Sequence, residues 1–150
     1  MTITVQPATA EGDRDLAFRV RELVFVDEQH VPREEEYDEH DDAAHHYLAW
    51  ADGQPVGAAR WRPTENGVKL ERFAVLAPYR SRGVGGVLLR QVMADAHAAY
   101  PDAQLYLHAQ LQAQLFYQRH GFVPEGELFY ECEIPHYKMR LGGERPEEKR

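Results

Sequence analysis

The period of the apolar positions changes several times along this chain, and each change marks an element. Thr2–Val5 alternates and predicts a short first strand, which Pro7 ends. Asp13 is a capping residue type, and Leu16, Phe18, Val20, Leu23 and Val24 recur after it at helical spacings. A helix is expected over about residues 13–29, with the β-prone Val24-Phe25-Val26 ill-suited to its end and Pro32 as its stop. Residues 33–42 read REEEYDEHDD, so crowded with like charge that they predict a solvated loop that does not pack. His45–Ala51 and Pro55–Trp61 are strand-like and flank Asp52-Gly53, a hairpin signal. Residues 63–67 (PTENG) make a second turn before a third strand, Val68–Leu76. A glycine-rich turn leads at once into a long helical pattern that places Val84, Leu88, Leu89, Val92, Met93, Ala96 and Ala99 on or near one side. Pro101-Asp102 breaks it.

Leu105, Leu107 and Ala109 then alternate with Tyr106 and His108 as another strand. A short helix is expected from Ala113 to His120, capped by Gly121. Phe122-Val123 and Leu128–Ile134 read as closing strands around a turn at Pro124-Glu125-Gly126. The order β-α-β-β-β-α-β-α-β-β predicts a mixed sheet in an α/β (α+β layered) fold. Residues 1–141 read as one domain, and 142–150 (GGERPEEKR) as a polar tail.

The totals narrow the function classes. A hydrophobic share of 43% over 150 residues can form a real core. No apolar run nears the ~20 residues of a membrane span, and the N-terminus lacks the basic-then-apolar order of a signal peptide. The single Cys132 suits a reducing, cytoplasmic setting. A net charge of −8 argues against general nucleic-acid affinity and is compatible with a cationic amine substrate.

Candidate chemistry concentrates at Arg80-Ser81-Arg82-Gly83-Val84-Gly85-Gly86, between the third strand and the long helix. Free N–H groups at a helix start, with the positive end of its dipole, hold anions, and arginine adds fork-shaped donors. A pyrophosphate is the expected guest; the plain alternative is a strand–helix turn with glycines for close packing. A Rossmann site is disfavoured by Leu88 where a small residue belongs, and no Gly-Lys-Ser/Thr makes a P-loop. His40, His45 and His46 among acidic residues fit no tight metal-ligand spacing, so no metal is expected. Cys132, in a β-prone run, reads as a small core residue rather than a nucleophile.

In this order the pieces resemble the GNAT N-acetyltransferase superfamily. Arg80-Ser81-Arg82-Gly83-Val84-Gly85 matches its Arg/Gln-x-x-Gly-x-Gly/Ala motif. Leu105–Ala109 followed by Tyr117-Gln118-Arg119-His120-Gly121-Phe122 matches its strand, Tyr helix and Gly-Phe. A narrower likeness, to the ElaA-like branch, rests on residues 24–29 (VFVDEQ) and on Glu131-x-x-Ile134-Pro135-His136.

The resemblance implies an acetyl-CoA-dependent N-acetyltransferase acting on a small-molecule or peptide amine, as a monomer or homodimer, without nucleic acid or membrane. It implies a mostly antiparallel sheet and coenzyme A held by residues 80–86, by Phe73, Ala74 and Val75 along the pantetheine arm, and by Phe116. Gln110 stands where many relatives have Asn, and its contact to the coenzyme is expected on that match alone. Tyr117 is implied as the acid that meets the leaving thiolate, Glu71 is the first choice of base, and Glu28, His108 and His136 are placed near the acceptor. The acidic loop is expected to border the acceptor pocket and to favour a cationic acceptor. A non-catalytic acyl-CoA sensor on the same fold is the rival.

Overall fold

The computed structural model describes residues 1–142. Its strands are β1 (Ile3–Pro7), β2 (His45–Ala51), β3 (Gln54–Thr64), β4 (Gly67–Val75), β5 (Leu105–Gln110), β6 (Phe122–Glu131) and β7 (Ile134–Leu141). Its α-helices are α1 (Asp13–Arg21), α2 (Arg33–Glu36), α3 (Val84–Ala99) and α4 (Gln114–Gln118). The strands form one sheet in the order β1-β2-β3-β4-β5-β7-β6, antiparallel except for β4–β5.

Alternation along the strands sorts the sheet into two faces. One buries Tyr47, Ala59, Trp61, Leu70, Leu105 and Leu107 under Val84, Leu88, Leu89 and Val92 of α3. The other buries Leu48, Ala58 and Ala74 under Ala17, Val20 and Val24. The second cluster is small, and most of that face beyond β3 carries polar residues. Among the described residues, no helix is long and apolar enough to cross a membrane.

Three expectations are corrected. The first helix changes form: α1 passes at Glu22 into a π-helical stretch, Glu22–Glu28, whose bonds include Gln29 N–H to the Val24 carbonyl at 3.1 Å. The wider turn relieves the β-branched crowding of Val24 and Val26, and such turns gather at functional sites.

The closing hairpin turns later than expected. Cys132 and Glu133 take φ of 50° and 63°, so a primed two-residue turn forms without glycine, and Cys132 is exposed rather than in the core. Pro124-Glu125-Gly126 lies inside β6, where the register slips between Glu125 and Phe129. Pro124 is tolerated because β6 is an edge strand. Residues 135–141, left without a strand by the sequence pattern, belong to β7, which pairs with β5 and β6. Gly142 donates its N–H to the Gly121 carbonyl at 2.7 Å; the remainder of the expected tail, 143–150, lies outside the described residues.

The acidic loop does pack. It forms α2 and a turn, and it buries Glu36 and Asp41 to 3% and 7% exposure. The like charges that argued for a solvated loop are matched by arginines distant in sequence.

Candidate active site

The β4–β5 ladder runs only from Val68↔Leu105 to Leu70↔Leu107. Beyond it the strands part. Between Ala58↔Ala74 and Arg60↔Glu71, three steps on β4 span two on β3, a bulge in which Arg72 takes φ 58°. Bulges bend a strand and re-aim its groups. The wedge opens into a cavity of about 710 Å³, lined along β4 by Phe73, Ala74 and Val75 and reaching Arg80, Gln110 and Tyr117.

At the end of β4, residues 77–79 form a 3₁₀ turn, Ser81 takes φ 60° and Gly83 φ 90°, and α3 begins. A left-handed residue is needed at 83 to turn the chain into the helix, which glycine does without strain. No side chain caps α3, and its first helical bond is Val87 N–H to the Gly83 carbonyl. The N–H groups of Val84, Gly85 and Gly86 therefore point out of the helix start. A Cβ on Gly85 would sit 3.3 Å from the Phe116 ring, so Phe116 closes against the turn.

The two arginines behave differently. Arg82 lies over the Tyr79 ring, 5.9 Å from its centroid. Arg80 donates from Nε to the Val75 carbonyl at 2.8 Å and, through both terminal nitrogens, to Glu28 at 2.5 and 2.6 Å. Glu28 thus ties the π-helical stretch to the turn, and Arg80's hydrogen bonds hold its carboxyl below the usual range. Gln110 donates to Gln29 at 2.8 Å, a second tie between β5 and the end of that stretch.

Tyr117 is 8% exposed, its ring packed against Phe73, Phe116 and Phe122. Its hydroxyl has no hydrogen-bond partner among the described residues. Burial pushes its pKa up, so the phenol keeps its proton at neutral pH.

Glu71 stands in a lattice of charges. Its Oε2 accepts from Arg60 Nε at 2.6 Å, and its Oε1 from Arg62 Nε at 2.8 Å, with Lys69 Nζ 3.6 Å away. Burial alone would raise its pKa, but the charges of Arg60 and Lys69 outweigh that and lower it. Arg60, 1% exposed, also donates to Asp41 at 2.6 Å and to both oxygens of Asp38 at 2.8 Å. Arg21, equally buried, holds Glu36 and Asp41, each at 2.7 Å. Arg72 adds contacts to Asp38 at 3.2 Å and Glu36 at 3.4 Å.

Across the wedge, His108 Nδ1 lies 2.8 Å from Glu131, and His136 Nε2 lies 3.6 Å from its other oxygen. Burial would raise the Glu131 carboxyl, but the hydrogen bond and charge of His108 lower it. His136 is 7% exposed and stacks on Phe129, so it shapes the wall more than it meets a ligand.

The structure brings Glu71, Phe73, Ala74, Val75, Arg80, Gln110, Tyr117, His108 and His136 to one cavity. Residues 81–86 continue from Arg80 as the adjoining turn, and Glu28 pairs with Arg80 and does not line the cavity. Sequence reasoning missed Arg60, Arg62 and Lys69; it set the acidic loop beside the pocket without singling out Glu36, Asp38 and Asp41, and quoted Glu131 only as a motif residue. One signal was available: Arg60 and Arg62 share a strand face with buried Ala58, and an arginine there needs a carboxylate from elsewhere.

Comparison with known proteins decides the family. The acetyltransferase (GNAT) domain model matches residues 11–142. The chain belongs to the GNAT superfamily. An N-acetyltransferase of Bacillus subtilis (strain 168), YjcF, is 44% identical over 124 residues, covering 82% of this chain and 88% of the relative. ElaA of Escherichia coli (strain K12) is 31% identical over 125 residues, covering 81% of this chain and 82% of the relative. The crystal structure of E. coli ElaA superimposes with a TM-score of 0.83 at 28% identity, over 93% of this chain and 99% of that one. A Pseudomonas aeruginosa acyl-CoA N-acyltransferase superimposes with a TM-score of 0.80 at 32% identity, over 93% and 97%. This GNAT chain is ElaA-like, with the mixed, mostly antiparallel sheet of its neighbours, and its class of chemistry is acyl transfer from acyl-CoA.

Proposed function

We propose that this protein is an acetyl-CoA-dependent N-acetyltransferase whose acceptor is a primary amine, with residues 1–141 acting as one catalytic domain. One observation carries the reading: the β4–β5 wedge leads from Arg80, in the turn that precedes the uncapped start of α3, to Tyr117, whose hydroxyl has no partner among the described residues. The N–H groups at residues 84–86 receive the pyrophosphate. Pantetheine amides pair with the β4 edge at Phe73–Val75, as an added strand would.

The bulge at Arg72 frees a β4 N–H to hold the oxyanion of the tetrahedral intermediate. The amine nitrogen bonds to the thioester carbon, the C–S bond breaks, and Tyr117 gives its proton to the sulfur. A proton released from the nitrogen restores the phenol. Glu71 was the expected base, but three cations stabilise its ionised form. That favours a positioning role: Glu71 fixes Arg60, Arg62 and Lys69 beside the reacting groups.

The test is thiol release from acetyl-CoA over a panel of amines, with Tyr117→Phe beside the wild type. Turnover should fall about 10²-fold or more, while the Kd for acetyl-CoA stays within about twofold. Unchanged turnover removes Tyr117 from the mechanism. Tight acetyl-CoA binding with no amine acetylated favours an acyl-CoA sensor.

A further inference from the structure

The acceptor end of the cavity is bipolar. Arg62 of β3 stands directly across from Lys69 of β4 on the face that α1 leaves open. Like charges so opposed repel. Both reach one carboxylate atom, Oε1 of Glu71, at 2.8 and 3.6 Å, while Oε2 belongs to Arg60. The other carboxylates of the lattice are committed: Glu36 and Asp41 to Arg21, Asp38 and Asp41 to Arg60, with Arg72 sharing Glu36 and Asp38.

Within this lattice Arg21, Arg60, Arg62, Lys69 and Arg72 are five cations on four carboxylates; the nearest further carboxylate, Glu131, acts on Lys69 only from across the wedge and is hydrogen-bonded to His108. The surplus falls on the edge that lines the cavity, where the Arg62 and Lys69 side chains are 20% and 19% exposed. Charge that far out of water calls for a counter-ion. The acidic loop supplies none: its inner carboxylates are held by Arg21, Arg60 and Arg72, and Glu35 and Glu39, which also line the cavity, form no ion pair with Arg62 or Lys69 among the described residues.

Across the wedge the sign reverses. Glu131 is 45% exposed and orients His108 through Nδ1, which leaves Nε2 of the ring to meet a proton. Lys69 pairs with Tyr106, and His108 lies two residues further on. Strand geometry then separates the Lys69 and His108 backbones by roughly 8 Å. A small molecule can span that gap.

We propose that the acceptor is a small amine that also carries an anionic group, a carboxylate or phosphate, a few bonds from its nitrogen. The anionic group sits on Arg62 and Lys69, and the amine sits at His108 and Glu131. The inference rests on the acetyltransferase reading above and names its substrate class. The acceptor arrives as an ammonium ion drawn to Glu131. One proton passes to His108 Nε2 and on to solvent, and the amine so formed attacks the thioester.

Matched pairs of acceptors test this: amino acids against their carboxamides, and amino-sugar phosphates against the free amino sugars, followed by thiol release. The anionic member should have the higher kcat/KM by at least about tenfold, and the series that shows it separates carboxylate from phosphate. In Arg62→Gln and Lys69→Gln the ratio should fall toward one, with the Kd for acetyl-CoA retained and melting still cooperative, at a lower Tm because Glu71 loses a partner. Preference for the neutral member or for diamines overturns the inference, as does a ratio that neither variant changes. If acetyl-CoA binds but no amine is acetylated, the acetyltransferase reading fails. Calorimetry of the coenzyme A complex with N-acetyl amino acids and their amides then decides the subsite alone. Tighter binding of the acid, lost in Arg62→Gln, supports it; equal binding overturns it.

Discussion

Replacing Arg60 with Met removes the cation that touches Asp38, Asp41 and Glu71 together. Arg60 is 1% exposed, so water cannot take its place, and Met keeps much of the stem volume. The loss is therefore mainly electrostatic. Removing one partner of a buried ion pair costs about 3–5 kcal/mol. Arg21, Arg72, Arg62 and Lys69 still hold parts of the carboxylates, which puts the expectation at the lower end. For a chain of this size each kcal/mol moves Tm by about 2–4 °C, so a drop of roughly 6–12 °C is expected at neutral pH.

The pH dependence supplies the sign. Burial alone would raise Asp38 and Glu71, yet Arg60's hydrogen bonds and charge, with its neighbours', hold both below the ordinary carboxylate range. Such groups stabilise the fold above their unfolded pKa, near 4, and lose that contribution as pH falls through the folded value. Once protonated they no longer need the cation, so the gap between wild type and Arg60→Met should narrow below about pH 4. Glu36 is pushed up by burial against the charges of Arg72, Arg21 and Arg60; its contribution runs the opposite way, and losing Arg60 pushes it further up in the variant. Urea unfolding followed by the fluorescence of Trp50 and Trp61 at several pH values measures the gap. A loss under about 1 kcal/mol at neutral pH, or a gap that does not narrow in acid, refutes the argument.

Glu28→Gln removes a negative charge that neutralises Arg80 beside the proposed pyrophosphate site; acetyl-CoA should bind about two- to fivefold tighter by calorimetry, and weaker binding would show that the Glu28–Arg80 pair instead holds the turn in shape. The Cys132 thiol is pushed up to about 11 from its ordinary 9.0 by burial and by its hydrogen bond to Glu35. Alkylation at neutral pH should then run about 100-fold slower than for a free thiol, and Glu35→Gln should speed it; ordinary reactivity in the wild type would contradict the contact.

Local pattern was enough wherever the signal lay within one element or one turn. Asp52-Gly53 made its hairpin, the α3 stripe buried Val84, Leu88, Leu89, Val92 and Ala96 but left Met93 half-buried and Ala99 exposed, and Gly83 with Gly85 and Gly86 marked a helix start stripped of side chains. The wedge was legible only through resemblance, because strand separation past Leu70 is a property of two strands and a bulge, not of either sequence. The late closing hairpin was hidden because Cys132 and Glu133 carry none of the usual turn residues, while Pro124 and Gly126 advertise a turn that the sheet edge converts into a bulge.

The acidic stretch draws the boundary most clearly. By itself REEEYDEHDD determined only that it carries excess negative charge, and a chain with that composition and no partner would stay in water. Folding brings Arg21 from the first helix, Arg60 from β3 and Arg72 from the β4 bulge to the same point and turns the loop into a buried wall of the cavity. The sequence by itself determined that a glycine-rich helix start follows β4, the local device on which the proposed phosphate site rests. Only the tertiary structure decided which charges face the cavity where the acceptor is proposed to bind. The cost of burying a charge depends on which opposite charges lie within 4 Å in space, and these come from elements tens of residues apart.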